Sequence, residues 1–195
     1  MKNLEKLEKS KGVVIFATNT DTIDYVAIAD RAAQLIKHYL GLPTTILTNS
    51  ASLKNLRYSI DTNVFETWNN SGRYQAYHLS PYDQTILLDS DYFVFDNNLL
   101  KILETVQDYT IARNNVYLNG TAIEPMGLYS LPSLWATIIA FNKTPKSQML
   151  FDLVARIERN YSYYRKLYNI NEPNFRNDYA FTIADNILNG YTQDI

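Results

Sequence analysis

Apolar residues occur along this chain in short unbroken runs that alternate with stretches spaced three and four apart. Val13 to Ala17 (Val-Val-Ile-Phe-Ala) contains no polar residue and is bounded by Gly12 and by Thr18-Asn19-Thr20-Asp21. A strand covered on both faces reads this way, because neither face meets water. Next, Ala29, Ala32, Ala33, Ile36 and Leu40 share one side of a predicted helix, at the spacing that 3.6 residues per turn requires. Gly41 and Pro43 then follow in the order that ends a helix. Thr44 to Thr48 is short and β-branched, a second strand. Strand, helix and strand in so short a span predict a parallel βαβ unit.

The pattern loosens after residue 48. Ala51 to Arg57 suits a helix, Val64 to Thr67 a short strand, and Asn69-Asn70-Ser71-Gly72 a loop. Thr85 to Leu88 is again a buried strand, ending at Asp89, and Tyr92 to Phe95 reads as a further short extended piece. Asp96-Asn97-Asn98 offers capping side chains to a helix from Leu99 to about Gln107. Tyr109 to Ala112 and Ala136 to Phe141 predict strands, separated by a long loop, Asn114 to Pro132, of the kind that carries function or moves. Leu150, Leu153, Val154, Ile157, Tyr161 and Tyr164 form one stripe and predict the longest helix. A last helix runs from about Phe175 to Leu188 and stops at Gly190. This alternation predicts a three-layer α/β/α sandwich with a mostly parallel central sheet. A single domain is expected over residues 12–195, after a charged tail, residues 1–11.

Composition narrows the chemistry. The net charge is −2 with both signs mixed, so no nucleic-acid partner is expected. The absence of cysteine excludes disulfides, thiolate zinc sites and thiol catalysis. The two histidines, His38 and His78, lie far apart, and His38 reads as a solvent-facing or capping residue. No apolar run approaches the roughly 18 residues of a membrane span, and the start lacks the apolar stretch of a secretory signal; a cytoplasmic protein is expected. The 16 tyrosines suit sugar and base contacts, although most are expected in the core or at its rim.

The informative segment is Thr85-Ile-Leu-Leu-Asp-Ser-Asp-Tyr-Phe-Val-Phe-Asp96. Ligands of α/β sheets bind outside the carboxyl ends of strands, and Asp89 and Asp91 stand at such an end. Extended i, i+2 spacing puts both carboxylates on one side. Two such charges about 5 Å apart repel by roughly 3 kcal/mol at an effective dielectric near 20. A cation relieves that repulsion, and hard oxygen ligands favour Mg²⁺ or Mn²⁺. A solvated turn with a capping aspartate is the plainer reading of the same residues. The apolar runs entering and leaving the pair favour the metal.

These residues resemble the GT-A glycosyltransferases, particularly those of glycogenin-like type. The resemblance rests on Phe16-Ala-Thr-Asn-Thr-Asp21 with Tyr25, on Arg73, and on Pro81-Tyr-Asp-Gln-Thr-Ile-Leu-Leu-Asp-Ser-Asp91. It extends to the segment Trp135 to Asn142 and to Arg176-Asn177-Asp178. Order and spacing match over residues 12 to about 190, and the Asp89/Asp91 segment is the specific part. The resemblance implies a transferase moving a sugar from a nucleotide-diphosphate donor, a UDP-sugar above all, to a glycan, lipid or protein acceptor. It implies that Thr18, Asn19 and Asp21 contact base and ribose, that Tyr25 stacks on the base, that Asp89 reaches the ribose or the metal, and that Ala17 and Ser90 belong to the same nucleotide-binding set. Asp89 and Asp91 would hold the metal and Arg73 would offset diphosphate charge. Asp178 would orient the acceptor or stabilise the reacting sugar, and Trp135 would line the acceptor pocket. Plainer roles stand beside these: a helix N-cap for Asp21, a surface arginine for Arg73, a first-turn acid for Asp178, a core residue for Trp135. The family's late His-x-x-Gly-x-x-Lys-Pro segment, which supplies a third ligand, has no counterpart here, since no histidine follows His78.

Other classes use similar residues. Haloacid-dehalogenase-like phosphatases also carry Asp-x-Asp after an apolar strand, but on the first strand and before small turn residues. Here at least two predicted strands precede the pair and Tyr92-Phe93 follows it. Nucleotidyltransferases carry a Gly-rich basic loop after the first strand, whereas residues 17 to 25 hold neither glycine nor a basic residue. A non-catalytic nucleotide-sugar-binding module is the third alternative.

Overall fold

A computed structural model describes residues 9–48, 58–59, 71–113, 131 and 133–191. Its elements, in chain order, are β1 (Lys11–Phe16), α1 (Tyr25–Leu40), β2 (Thr44–Thr48), β3 (Tyr58–Ser59), a 3₁₀ turn (Arg73–Gln75) and α2 (Ala76–Leu79). Then follow β4 (Gln84–Leu88), α3 (Leu99–Thr105), β5 (Tyr109–Arg113), β6 (Leu134–Asn142), α4 (Pro145–Arg159), α5 (Tyr161–Leu167) and α6 (Asn177–Leu188). The strands form one sheet in the order β3-β2-β1-β4-β6-β5. β3, β2, β1 and β4 are mutually parallel, while β6 runs antiparallel to both β4 and β5.

The two faces of the sheet bury two separate cores. Val13 and Ile15 of β1, Ile86 and Leu88 of β4 and Ala140 of β6 pack with Ala29, Ala32 and Ile36 of α1 and with Leu99 and Leu103 of α3. Val14, Leu87, Ile139 and Phe141 point the other way, against Leu150, Phe151 and Val154 of α4 and Phe181 of α6. Strand residues alternate between faces, so covering both faces demands the unbroken apolar runs seen in β1 and β4. A fully buried side chain of this kind contributes about 1.5–3 kcal/mol. Gly12 is required for a different reason, since a Cβ there would overlap the ring of Tyr82. With only hydrogen at that position the ring lies on β1, and its hydroxyl meets Thr45 Oγ1 at 2.9 Å.

Several expectations change in detail. The helical stripe from Leu150 to Tyr164 belongs to two helices, α4 and α5, which part at Asn160 (φ −120°, ψ 29°). The longest helix is therefore α1, with 16 residues against 15 in α4. Tyr92 to Phe95 joins no strand of the sheet. Asn98 stands at the start of α3 without a side-chain cap; instead Asp96 Oδ1 accepts from Asn98 N at 2.9 Å. The segments expected as helix Ala51–Arg57, strand Val64–Thr67 and most of the loop Asn114–Pro132 lie outside the described residues. Among the described residues no helix is long and apolar enough to cross a membrane.

Candidate functional site

In an open sheet the crevice forms where neighbouring strands send their connections to opposite sides. Here that point is between β1 and β4: the chain leaves β1 for β2 on one side, and β4 lies on the other. The residue pairs Ile15–Leu88 and Leu88–Ile138 align the carboxyl ends of β1 and β4 with the middle of antiparallel β6, whose first residues run on past them. Three chain segments therefore open onto one edge.

A cavity of about 180 Å³ lies at this edge. Phe16, Thr18 and Tyr25 line it from the β1 side, Asp89, Ser90 and Asp91 from the end of β4, and Ser71, Arg73 and Asn177 close it. A second cavity, of about 160 Å³, adjoins it. Its lining combines Trp135, Ala136 and Thr137 of β6 with Arg176 and Asp178 at the start of α6. Arg73, Asp89 and Asn177 belong to both linings.

Asp89 is held from three directions. Its backbone N–H donates to Thr137 O at 3.2 Å, extending the β4–β6 ladder by one step. Its Oδ2 accepts from Thr137 Oγ1 at 2.7 Å and its Oδ1 from Arg73 Nη1. Tyr92 N returns to Asp89 O at 3.2 Å, so the chain turns at Ser90–Asp91. The reason for the shared side therefore differs from the expected one. A turn, not extended i, i+2 geometry, brings Asp89 and Asp91 to one cavity. Asp91 is exposed and Asp89 partly so.

Arg73 is not a surface arginine; only 7% of it is exposed. Besides Asp89, its guanidinium donates to Ala136 O at 2.7 Å and to Thr137 O at 3.4 Å. The residue before it, Gly72, has φ 80°, which glycine adopts without strain. Gly72 N donates to both oxygens of Glu158, at 3.2 and 3.3 Å. Burial raises the Glu158 carboxyl above its ordinary value, against the lowering effects of the Gly72 hydrogen bond and of Arg159. A carboxylate of α4 thus pins the turn from which Arg73 reaches across to Asp89.

Asp178 lies in the first turn of α6, where the helix dipole favours an acid. Its Oδ1 also accepts from Ala136 N at 2.9 Å, tying α6 to β6, and its Oδ2 receives Arg176 Nη2 at 3.4 Å. Trp135 is not a core residue: 41% of it is exposed, at the second cavity.

Of the residues expected to contact a nucleotide, Thr18, Tyr25, Asp89 and Ser90 come together around the first cavity, with Arg73 and Asp91. Ala17, Asn19 and Asp21 do not line it. The Ala17 side chain is buried in the sheet core. Asn19 Oδ1 accepts from Val26 N at 2.9 Å, serving the start of α1. Asp21 is exposed and is not the N-cap; Asp24 is, its Oδ1 accepting from Ala27 N at 3.0 Å. Among the described residues, no three His, Asp or Glu side chains gather as a metal-binding group. Sequence reasoning missed Thr137 and Glu158. Glu158 left a trace, because it lies four residues after Val154 on the apolar face of a helix.

No protein-family model matches this chain, and no curated protein matches it in sequence. Solved structures do. The apo form of mouse xyloside xylosyltransferase 1 superposes with a TM-score of 0.55 at 14% identity, over 91% of this chain and 82% of that one. The apo-form glycosyltransferase GlyE of Streptococcus pneumoniae gives 0.50 at 14% identity, over 92% of this chain and 43% of its own. The bifunctional IspDF of Campylobacter jejuni gives 0.50 at 9% identity, over 90% and 47%. The chain thus spans less than half of the latter two. Element order, the mostly parallel sheet and these superpositions agree: the chain has a GT-A-like fold.

Proposed function

We propose that this chain is a metal-dependent glycosyltransferase that takes its sugar from a nucleotide-diphosphate donor, with UDP-sugars as the first candidates. The observation that carries the reading is the clustering of Asp89, Asp91 and Arg73 around one cavity at the point where β1 and β4 diverge. Tyr25, half-buried at the start of α1, offers a ring for the base, and Thr18 and Ser90 offer hydroxyls for base and ribose. Arg73 supplies a fixed positive charge toward the diphosphate.

The acidic pair fits a hard divalent cation. Mg²⁺ commonly binds through one or two carboxylates together with substrate phosphates and water. Asp91 lines the cavity mouth, and Asp89 has one donor on each oxygen, which leaves further lone pairs. When bound, Mg²⁺ or Mn²⁺ offsets charge on the departing diphosphate. In the transfer, an acceptor hydroxyl oxygen bonds to the anomeric carbon. The bond from that carbon to the diphosphate oxygen breaks, its electron pair leaves with the nucleoside diphosphate, and the hydroxyl proton passes to water. Asp178, at the second cavity, is positioned to orient the incoming hydroxyl.

The test uses UDP- and GDP-sugars with and without Mn²⁺, following donor loss and thermal shift. Metal-dependent binding with release of nucleoside diphosphate supports the transferase, and Asp91→Asn should remove the metal effect. Metal-dependent binding that survives Asp91→Asn overturns the site. Binding without turnover identifies a nucleotide-sugar-binding module instead, and phosphate release from simple phosphomonoesters identifies a phosphatase.

A further inference from the structure

The proposed function leaves the acceptor open; the walls of the second cavity narrow it. From the geometry we infer that this cavity binds a neutral pyranoside, its ring stacked on Trp135 and its hydroxyls facing Asp178 and Arg176. The inference rests on the transferase reading for its role and on the cavity itself for its chemistry.

Three observations select this class. The first concerns the backbone. An extended peptide binds by adding its main chain to a free strand edge, and β6 has none at the cavity. Ala136 N donates to Asp178, Ala136 O accepts from Arg73, and Thr137 O accepts from Asp89 N. On its other edge β6 pairs with β5, Trp135 opposite Ala112. Recognition must therefore use side chains. The second concerns polarity. Beyond Trp135 and Ala136 the lining is Arg, Asp, Thr and Asn, which would strand a lipid chain against unpaired polar groups. A broad aromatic face beside fixed donors and acceptors instead matches a sugar ring, which presents apolar C–H groups on its faces and hydroxyls around its rim. The third concerns charge. Arg73 and Asp89, shared with the first cavity, face the diphosphate and the metal there, and the two charges that belong to this cavity alone, Arg176 and Asp178, pair with each other, which favours an uncharged ligand over a sugar acid. The Arg176–Asp178 pair, at 3.4 Å, places a donor and an acceptor side by side, as neighbouring hydroxyls require. The shared wall of Arg73, Asp89 and Asn177 puts a ring bound here next to the first cavity.

The chain has two tryptophans, Trp68 and Trp135, so Trp68→Phe leaves Trp135 as the single indole reporter. This variant, with Mn²⁺ and UDP or GDP present, is titrated with methyl pyranosides of gluco, galacto, manno and xylo configuration and with methyl glucuronide. Ring contacts are read in parallel by saturation-transfer NMR on the unaltered protein. At least one neutral pyranoside should change Trp135 fluorescence saturably and bind at least several-fold tighter than the glucuronide. In the NMR measurement Trp135→Ala should weaken binding about tenfold or more, while Trp135→Phe keeps most of it. Failure of every pyranoside to bind, tighter binding of the charged sugar, or undiminished binding by Trp135→Ala overturns the inference. The two readings fail separately. Pyranoside binding without any nucleotide-sugar binding sinks the transferase and keeps the subsite; the converse sinks the subsite alone.

Discussion

Replacing Arg73 by leucine tests the construction of the site without any substrate. The change removes the ion pair with Asp89, the 2.7 Å hydrogen bond to Ala136 O and the longer one to Thr137 O. Removing one partner of a buried pair costs about 3–5 kcal/mol when the other charge is left unsolvated. The Asp89 side chain is 35% exposed, so water takes over part of the missing partner's role and the cost falls to about 2 kcal/mol. The orphaned Ala136 carbonyl adds about 1 kcal/mol, and the new apolar side chain returns some of it by burial. Net destabilisation of about 2–3 kcal/mol is expected. In urea, with a slope of about 1–3 kcal/mol per molar, that lowers the unfolding midpoint by about 0.7–3 M. Asp89→Asn retains the Thr137 hydrogen bond and should cost less. The double variant should be less destabilised than the sum of the two by about 1 kcal/mol or more, because the second change removes a charge already unpaired. Additive effects, or an Arg73→Leu midpoint equal to that of the unaltered protein, would refute the reasoning.

Gly12→Ala drives a methyl group into the Tyr82 ring and should cost about 1–3 kcal/mol, with a smaller penalty in a Tyr82→Leu background, both read by thermal unfolding. Glu158 has a folded-state pKa raised by burial. Its contribution is full below the ordinary glutamate value and is lost as pH rises through the folded value. Glu158→Gln, which still accepts from Gly72, should remove that downward slope from urea midpoints measured between about pH 4 and pH 8; an unchanged slope would assign it elsewhere. Asp83 is lowered, first by the Ser10 side-chain hydrogen bond and then by the Ser10 backbone one. Its contribution is present above the ordinary aspartate value and is lost as pH falls through the lower folded one. Asp83→Asn should therefore lower the melting temperature at neutral pH and lose its effect in strong acid.

How much the sequence disclosed depended on whether a contact was local. β1 and β4 were legible because each is covered on both faces, and the boundaries of β2 were read without error. β6 begins at Leu134, two residues before the expected start, because exposed Trp135 interrupts the buried pattern. Its antiparallel direction follows from the chain's later path and leaves no mark on periodicity. The break at Asn160 was hidden for a related reason. Tyr161 and Tyr164 of α5 are buried like the α4 residues before them, so the apolar stripe continues although the backbone does not.

The same distinction governs the site. Asp89 and Asp91 lie two residues apart after an apolar strand, and their convergence was readable, although a turn produces it. The groups that fix Asp89 come from elsewhere: Arg73 is 16 residues away and Thr137 is 48. Glu158 lies 86 residues from the Gly72 it anchors. Such partners are selected by tertiary geometry, and single-residue chemistry does not rank them. Asn19 shows the converse. A short polar side chain just after a strand suits a ribose and a helix start equally, and here a nearby backbone N–H already holds its oxygen. Tyr25 comes to the cavity because it begins α1, the helix whose first turn that oxygen serves. A residue expected to touch a ligand thus helps to place another that lines the cavity.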